Sequence, residues 1–244
     1  MICSCRHTAL GLSLLQNGVD VDALGKALLP FVFVVGGLLV GLIIWLYRRK
    51  KAKERAIAMQ AVANQLQWNF AETAPLNMIA GLEHFALFSQ GHSKRIKNFM
   101  YGEANGVKAA VFDYVYVTGY GKNSQTHYQT VVYLEPGNLR VPYFSLRPEG
   151  FFTKFLTAFG YQDIDFGQRP EFSKKYLLRG QDEQGIRQTF NDGLLSFFES
   201  YQGTSVDAGG NQLLLFRAGQ RFQPQEIQSY LALALNVVNL CPRY

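Results

Sequence analysis

The sequence predicts an α+β protein with one N-terminal membrane-crossing helix, and three observations carry that expectation. Ala27 to Tyr47 contains no charged side chain, and such a run lets a helix cross the ~30 Å hydrocarbon core of a bilayer. From about Phe85 to Leu146 the pattern is that of β-strands, with Asn105-Gly106 in its midst, a dipeptide suited to a type I′ hairpin turn. Helical apolar spacing then returns mostly in blocks, which favours an antiparallel sheet with packed helices over an alternating parallel one.

Met1 to Lys26 has mixed polarity and weak periodicity and reads as a short exported tail. The apolar run after it exceeds the ~7–15-residue core of a signal peptide and lacks a small-x-small cleavage site, so the expectation is an uncleaved anchor. Pro30 is expected in the first turn of the span, where a missing N–H costs little. Gly37 and Gly41 form a GxxxG pattern through which two helices could approach and dimerise, although one such pattern is common in membrane helices. Trp45 and Tyr47 suit the interfacial aromatic belt.

Arg48, Arg49, Lys50, Lys51, Lys53 and Arg55 follow directly. A basic cluster beside a span marks the side retained in the cytoplasm. The expected topology is therefore single-pass in the cell inner (plasma) membrane, with the N-terminus outside and the C-terminal part cytoplasmic. The six cations are expected to touch lipid headgroups, each contributing ~1 kcal/mol near an anionic leaflet; the plainer reading is that they set topology alone. Residues 48–70 read as a basic helical stalk and 71–244 as the cytosolic domain, with Thr73-Ala74-Pro75 as the break between them.

Within that domain Asn98 to Glu103 and Val107 to Val117 should form a hairpin, Thr126 to Leu134 should pair with the second strand, and Tyr143 to Arg147 should add a fourth. Phe151, Phe152, Phe155, Leu156 and Phe159 have helical spacing up to Gly160. Extended pieces follow near Ile164 and from Lys174 to Arg179. Asp182 is placed to cap a helix carrying Ile186, Phe190, Leu194, Phe197, Phe198 and Tyr201, which Asn191-Asp192-Gly193 could kink or split. Ser205-Val206 and Leu213 to Phe216 read as a second hairpin around Gly209-Gly210-Asn211, and Pro224 opens a last helix to about Leu240.

Charge narrows the function. The net charge is +6, yet from Ala56 onward there are 16 basic against 15 acidic side chains, so the basicity belongs to the membrane flank. That balance argues against nucleic acid as a partner. Cys3, Cys5 and Cys241 imply no disulfide framework.

Candidate chemistry is sparse. His84, His92, His127 and Asp113 supply the residue types of a metal-dependent hydrolase, but no HExxH or CxxC spacing gathers them. Thr118 to Ser124 lacks the Walker spacing, and a strand follows it where a helix would be required. No GxSxG elbow is present, and Cys241 has no neighbouring His. His92, Lys94, Arg95 and Lys97, followed by Phe99 and Tyr101, form the densest basic patch of the domain and could hold a phosphorylated headgroup. A solvated strand edge guarded by Lys accounts for them equally well. No catalytic residue, resident metal or cofactor is assigned.

Val111-Phe112-Asp113-Tyr114, Thr130-Val131-Val132-Tyr133, Phe144 to Glu149 and Tyr176 to Gly180 resemble bacterial single-pass membrane proteins that are uncharacterised and carry a cytosolic domain of unknown function. The resemblance covers most of the cytosolic part and implies location without activity. The expectation is a membrane-anchored binding or scaffold protein whose partners are the bilayer and either anionic phospholipid or a protein. The alternative is a tethered hydrolase or metal enzyme built on His84, His92, His127 and Asp113.

Overall fold

The computed structural model describes residues 21–150 and 163–242. The tail carrying Cys3 and Cys5 and the stripe Phe151 to Phe159 lie outside the described residues. The chain forms two compact units that divide after Lys53.

Helix α1 spans Val21–Gln65, and Pro30 lies inside it rather than in its first turn, because the helix begins earlier than the apolar run. Pro is tolerated inside membrane helices. Gln67, at φ 58°, adopts the left-handed conformation that commonly follows a helix, and the Trp68 N–H closes back on the Ala63 carbonyl at 2.8 Å. The second compact unit opens at Glu54, inside the expected stalk, and Met59, Val62 and Ala63 are buried in its core.

Among the described residues eight antiparallel strands form one sheet: β1 Asn69–Ala74, β2 His92–Ala104, β3 Val107–Thr118, β4 Gln125–Glu135, β5 Val141–Pro148, β6 Tyr176–Gly180, β7 Ser205–Gly210 and β8 Gln212–Phe216. The expected α+β class is observed. Asn105 and Gly106 have φ of 52° and 74°, the two positive values a type I′ turn requires, and they join β2 to β3 as expected. Strand β4 pairs with β3 as expected, Lys108 opposite Glu135 through Thr118 opposite Gln125.

Three features depart from the expectation. Asn69–Ala74, read as the end of a stalk and the break after it, is an edge strand on β2. Pro170–Lys175 forms a short helix, α3, ahead of β6. The strand order is β1-β2-β3-β4-β8-β7-β5-β6, so the second hairpin stands between β4 and β5 and the fourth expected strand does not extend the meander. Leu213, Leu214, Leu215 and Phe216 are all buried, and a strand apolar on both faces needs a central place.

The remaining helices are α2 Ala86–Ser89, α4 Glu183–Thr189, α5 Asp192–Ser200 and α6 Ile227–Leu240. The Asp182 side chain accepts the Gly185 N–H, and that of Asn191 accepts the Leu194 N–H, so the expected helix is split in two with each half capped. Pro224 opens a short 3-10 turn that leads into α6, as expected.

The two faces of the sheet bury separate cores. One joins Val111, Val132, Leu134, Leu146, Leu178 and Leu215 to residues of α1 and α3 to α6. The other joins Phe112, Tyr114, Val131, Leu214 and Phe216 to Ile79, Leu82, Phe85, Leu87 and Phe88 on short turns and α2. One face is thus roofed by helices, and the other by a single short excursion of the chain.

Candidate functional site

The first candidate is the anchor. Leu29–Gln65 contains a stretch with mean hydropathy 2.6, none of it buried, long and apolar enough to cross a membrane. Arg48, Arg49, Lys50, Lys51 and Lys53 are exposed after it. The Arg49 guanidinium lies 5.2 Å from the Trp45 ring and the Lys51 ammonium 5.9 Å from that of Tyr47, both one helical turn apart. Gly37 and Gly41 face open space, with nothing within 4 Å of where a Cβ would stand.

Arg55 departs from the other five cations and corrects the headgroup assignment at that position. Its Nε and Nη2 grip Asp113 Oδ2 and Oδ1 at 2.6 and 2.7 Å, and its Nη1 donates to the Phe222 carbonyl at 3.0 Å. Thr130 Oγ1 and Asn98 Nδ2 each donate to the same carboxylate at 2.8 Å. Asn98 reaches it from a bulge of β2, at φ 49°. Asp113 is therefore a fully bonded partner of a partly buried arginine and has no lone pair aimed at open space.

The histidines of the metal reading are dispersed. Asp113 shares the helix-covered face with Val111, whereas His127 sits opposite Tyr116, whose ring belongs to the other face. Their side chains point to opposite sides of the sheet. His84 lies on a 3-10 turn, and His92 begins β2. Among the described residues no three His, Cys, Asp or Glu groups gather to hold a metal. His127 stacks on Tyr116 at 4.8 Å, Thr118 Oγ1 is 2.8 Å from its Nε2, and burial pushes its pKa down.

The basic patch is partly committed to structure. His92 stacks on Tyr120 at 4.8 Å and Lys94 donates to the Phe88 carbonyl, while Arg95 and Lys97 stay exposed.

A cavity of about 420 Å³ is the feature the sequence reading missed. Its floor is the second face of β5 and β6, where Tyr143, Ser145 and Arg147 alternate along one strand and Leu177 and Arg179 along the next. His84, Phe85 and Ala86, at the start of α2, close it from above. The Tyr143 ring lies on the bare backbone of Gly209, where a Cβ would come within 2.2 Å of its Cδ1. Arg147 is buried beside the cavity, its Nη1 2.7 Å from Asp207 Oδ1 and its Nη2 donating to Oδ2 at 2.9 Å. The Leu87 N–H donates to that carboxylate at 3.1 Å, which ties α2 down, and the Arg147 guanidinium lies 4.8 Å from the Phe216 ring. Arg179 pairs with Asp163. Ser145 Oγ is buried and has no partner among the described residues. The alternation of β5 could have placed Tyr143, Ser145 and Arg147 on one face, but nothing in the sequence sets α2 above them.

No family model matches the chain, and no curated protein matches it. Among solved structures, the crystal structure of the mycobacterial trehalose monomycolate transport factor A, TtfA, matches 78% of this chain and 97% of that one, with a TM-score of 0.52 and 10% identity. At that identity the likeness is one of fold.

Such a cavity suits a compact ligand with an apolar body. Pockets of roughly 300–1,000 Å³ with mainly apolar walls and a few placed polar groups are the usual form of small-molecule sites.

Proposed function

We propose that this chain is a membrane-anchored binding protein whose folded unit is held on the cytoplasmic face of the cell inner membrane and acts without catalysis. The observation that carries the reading is the unburied apolar helix followed at once by five exposed cations. Cations so placed favour retention of their side in the cytoplasm and attraction to anionic lipid. Support for binding over chemistry comes from the separation of His84, His92, His127 and Asp113 described above. A lipid-related role draws further support from the shared fold with TtfA, described as a trehalose monomycolate transport factor.

Topology is tested with a phosphatase or fluorescent reporter fused after Tyr244. Fluorescence without phosphatase activity is expected, and an active phosphatase would place the folded unit outside. Flotation with vesicles tests the collar: replacing Arg48, Arg49, Lys50, Lys51 and Lys53 with Gln should leave the chain membrane-integrated but remove any preferential association with anionic lipid. Equal behaviour of the two proteins on anionic vesicles would leave the collar a topology signal alone.

The GxxxG spacing of Gly37 and Gly41, which lets two helices approach closely, supports self-association of the anchor as a second element of this reading. Cross-linking in membranes should then fall on Gly37→Ile with Gly41→Ile, and unchanged cross-linking would remove it.

A further inference from the structure

The cavity over β5 and β6 has a charge balance that selects its ligand. Its two arginines are each matched by an aspartate: Arg147 by Asp207 and Arg179 by Asp163. A carboxylate or phosphate entering the cavity would find no unpaired arginine, and the remaining basic group of the lining, His84, stands beside Glu83. An ammonium would meet two guanidinium groups. Ions are therefore poor ligands, since a charge taken from water without a partner is costly.

One polar group nevertheless lacks a partner. Ser145 lies opposite Arg179 on one neighbouring strand and opposite Asp207 on the other, at the centre of the polar row, with its buried hydroxyl unbonded. A buried hydroxyl without a hydrogen bond is destabilising, and in native proteins such a group calls for an explanation. Around it the walls are apolar: Phe85 and Tyr143, whose rings lie 5.9 Å apart, with Ala86 and Leu177. Tyr143 is 51% exposed and marks the side from which a ligand enters.

We propose that this cavity binds a single-chain, uncharged amphiphile, its polar head hydrogen-bonded to Ser145 and its chain lying against Phe85, Tyr143 and Leu177. The inference rests on the membrane-anchored reading, because a tethered domain stays within reach of lipids that leave the bilayer singly. A neutral acyl ester or alcohol meets the site's needs: it donates or accepts a hydrogen bond, adds no charge and fills the apolar part. Each CH2 removed from water favours binding about fourfold, so affinity should rise with chain length until the cavity is full.

The test uses the full chain in nanodiscs of zwitterionic phospholipid, with a monoacylglycerol bearing a photoreactive diazirine on its chain. Illumination should label peptides containing Phe85, Tyr143 or Leu177. Excess unlabelled monoacylglycerol should compete, whereas the fatty carboxylate and the alkyl-trimethylammonium of equal chain length should compete at least about tenfold more weakly. Leu177→Trp, which fills the cavity, should cut labelling about tenfold, and Ala86→Phe gives a second filling variant should the first fail to fold. Loss of one hydrogen bond in Ser145→Ala should weaken binding about fivefold at an unchanged or raised melting temperature, because the free protein loses only an unpaired hydroxyl. A merely structural serine would not separate those two readouts.

Labelling confined to other peptides, or unaffected by both filling variants, overturns the site. Equal competition by the carboxylate overturns the uncharged head. Carbonate extraction of the same membranes separates the two readings: a chain that leaves the pellet refutes the anchor, and a chain that stays while the cavity goes unlabelled refutes this inference alone.

Discussion

Each face of the sheet carries an arginine–aspartate pair, and the two pairs sit in different company. On the helix-covered face the Asp113 carboxylate takes both prongs of Arg55 and donors from Asn98 and Thr130. On the other face Asp207 takes Arg147 and the Leu87 N–H, beside a cavity and near the unpartnered hydroxyls of Ser145 and Ser205. The first environment is closed by long helices and every polar group at its centre is bonded. The second is closed by a few residues of turn and α2, which leaves room. The contrast teaches that the position of the bulky helices, rather than the ion pair itself, decides which face keeps a pocket.

The largest expected effect breaks the first pair. Asp113→Ala leaves the largely enclosed Arg55 guanidinium without its counter-charge and should cost about 3–5 kcal/mol, read as a lower urea midpoint of the solubilised full chain. Arg55→Met combined with Asp113→Leu should recover most of that loss, since an apolar pair of similar volume is often no worse than a buried ion pair. Asp207→Ala should cost a similar amount, about 3–5 kcal/mol, because its pair is at least as buried, the Arg147 and Asp207 side chains being 5% and 1% exposed against 11% and 3% for Arg55 and Asp113. A much smaller loss for Asp207→Ala than for Asp113→Ala would mean that the neighbouring cavity lets solvent relieve the stranded Arg147, so that the two pairs differ in sealing as well as in company.

A smaller effect sharpens the pocket side. Gly209→Ala places a Cβ where the Tyr143 ring now lies and should cost about 1–2 kcal/mol as the half-exposed ring swings away. The smallest effect is a pH dependence. Burial lowers the His127 pKa below its ordinary 6.5, so the unfolded chain takes up that proton first as pH falls. Its contribution to stability is complete above about pH 6.5 and declines below it, through the window between the ordinary and the lowered value. His127→Gln should flatten the acid side of the stability profile by a small amount; an unchanged profile would assign the acid sensitivity elsewhere.

These effects separate what local sequence dictates from what packing decides. The Asn105-Gly106 hairpin, the cap at Asp182, the split at Asn191-Asp192-Gly193 and the Pro224 entry to the last helix were legible, because each is settled by a few neighbouring residues. Strand β1 was not: Asn69–Ala74 is mostly polar or small and becomes a strand by pairing with β2. The place of the second hairpin was hidden for a related reason, since its neighbours β4 and β5 are adjacent in sequence and read as adjacent in space. At the candidate site, the exposure of the five outer cations was legible from their position beside an apolar run. Arg55 looked like a sixth, and only the approach of Asp113 from 58 residues away distinguishes it. The cavity needed α2 to settle over β5 and β6, a meeting that no periodicity encodes.

The insertion of β7 and β8 between β4 and β5 also bears on how the protein is made. Strand β4 meets its outer partner only when Leu213 to Phe216 has been synthesised, roughly 80 residues later, which at ~5–20 residues per second is about 4–16 s on the ribosome. Throughout that interval the edge of β4 carries unpaired backbone groups and buried-type side chains such as Val131 and Tyr133. Nascent chains stalled before residue 213 are therefore the ones expected to recruit chaperones or aggregate, and slowing translation past that point should have no such consequence.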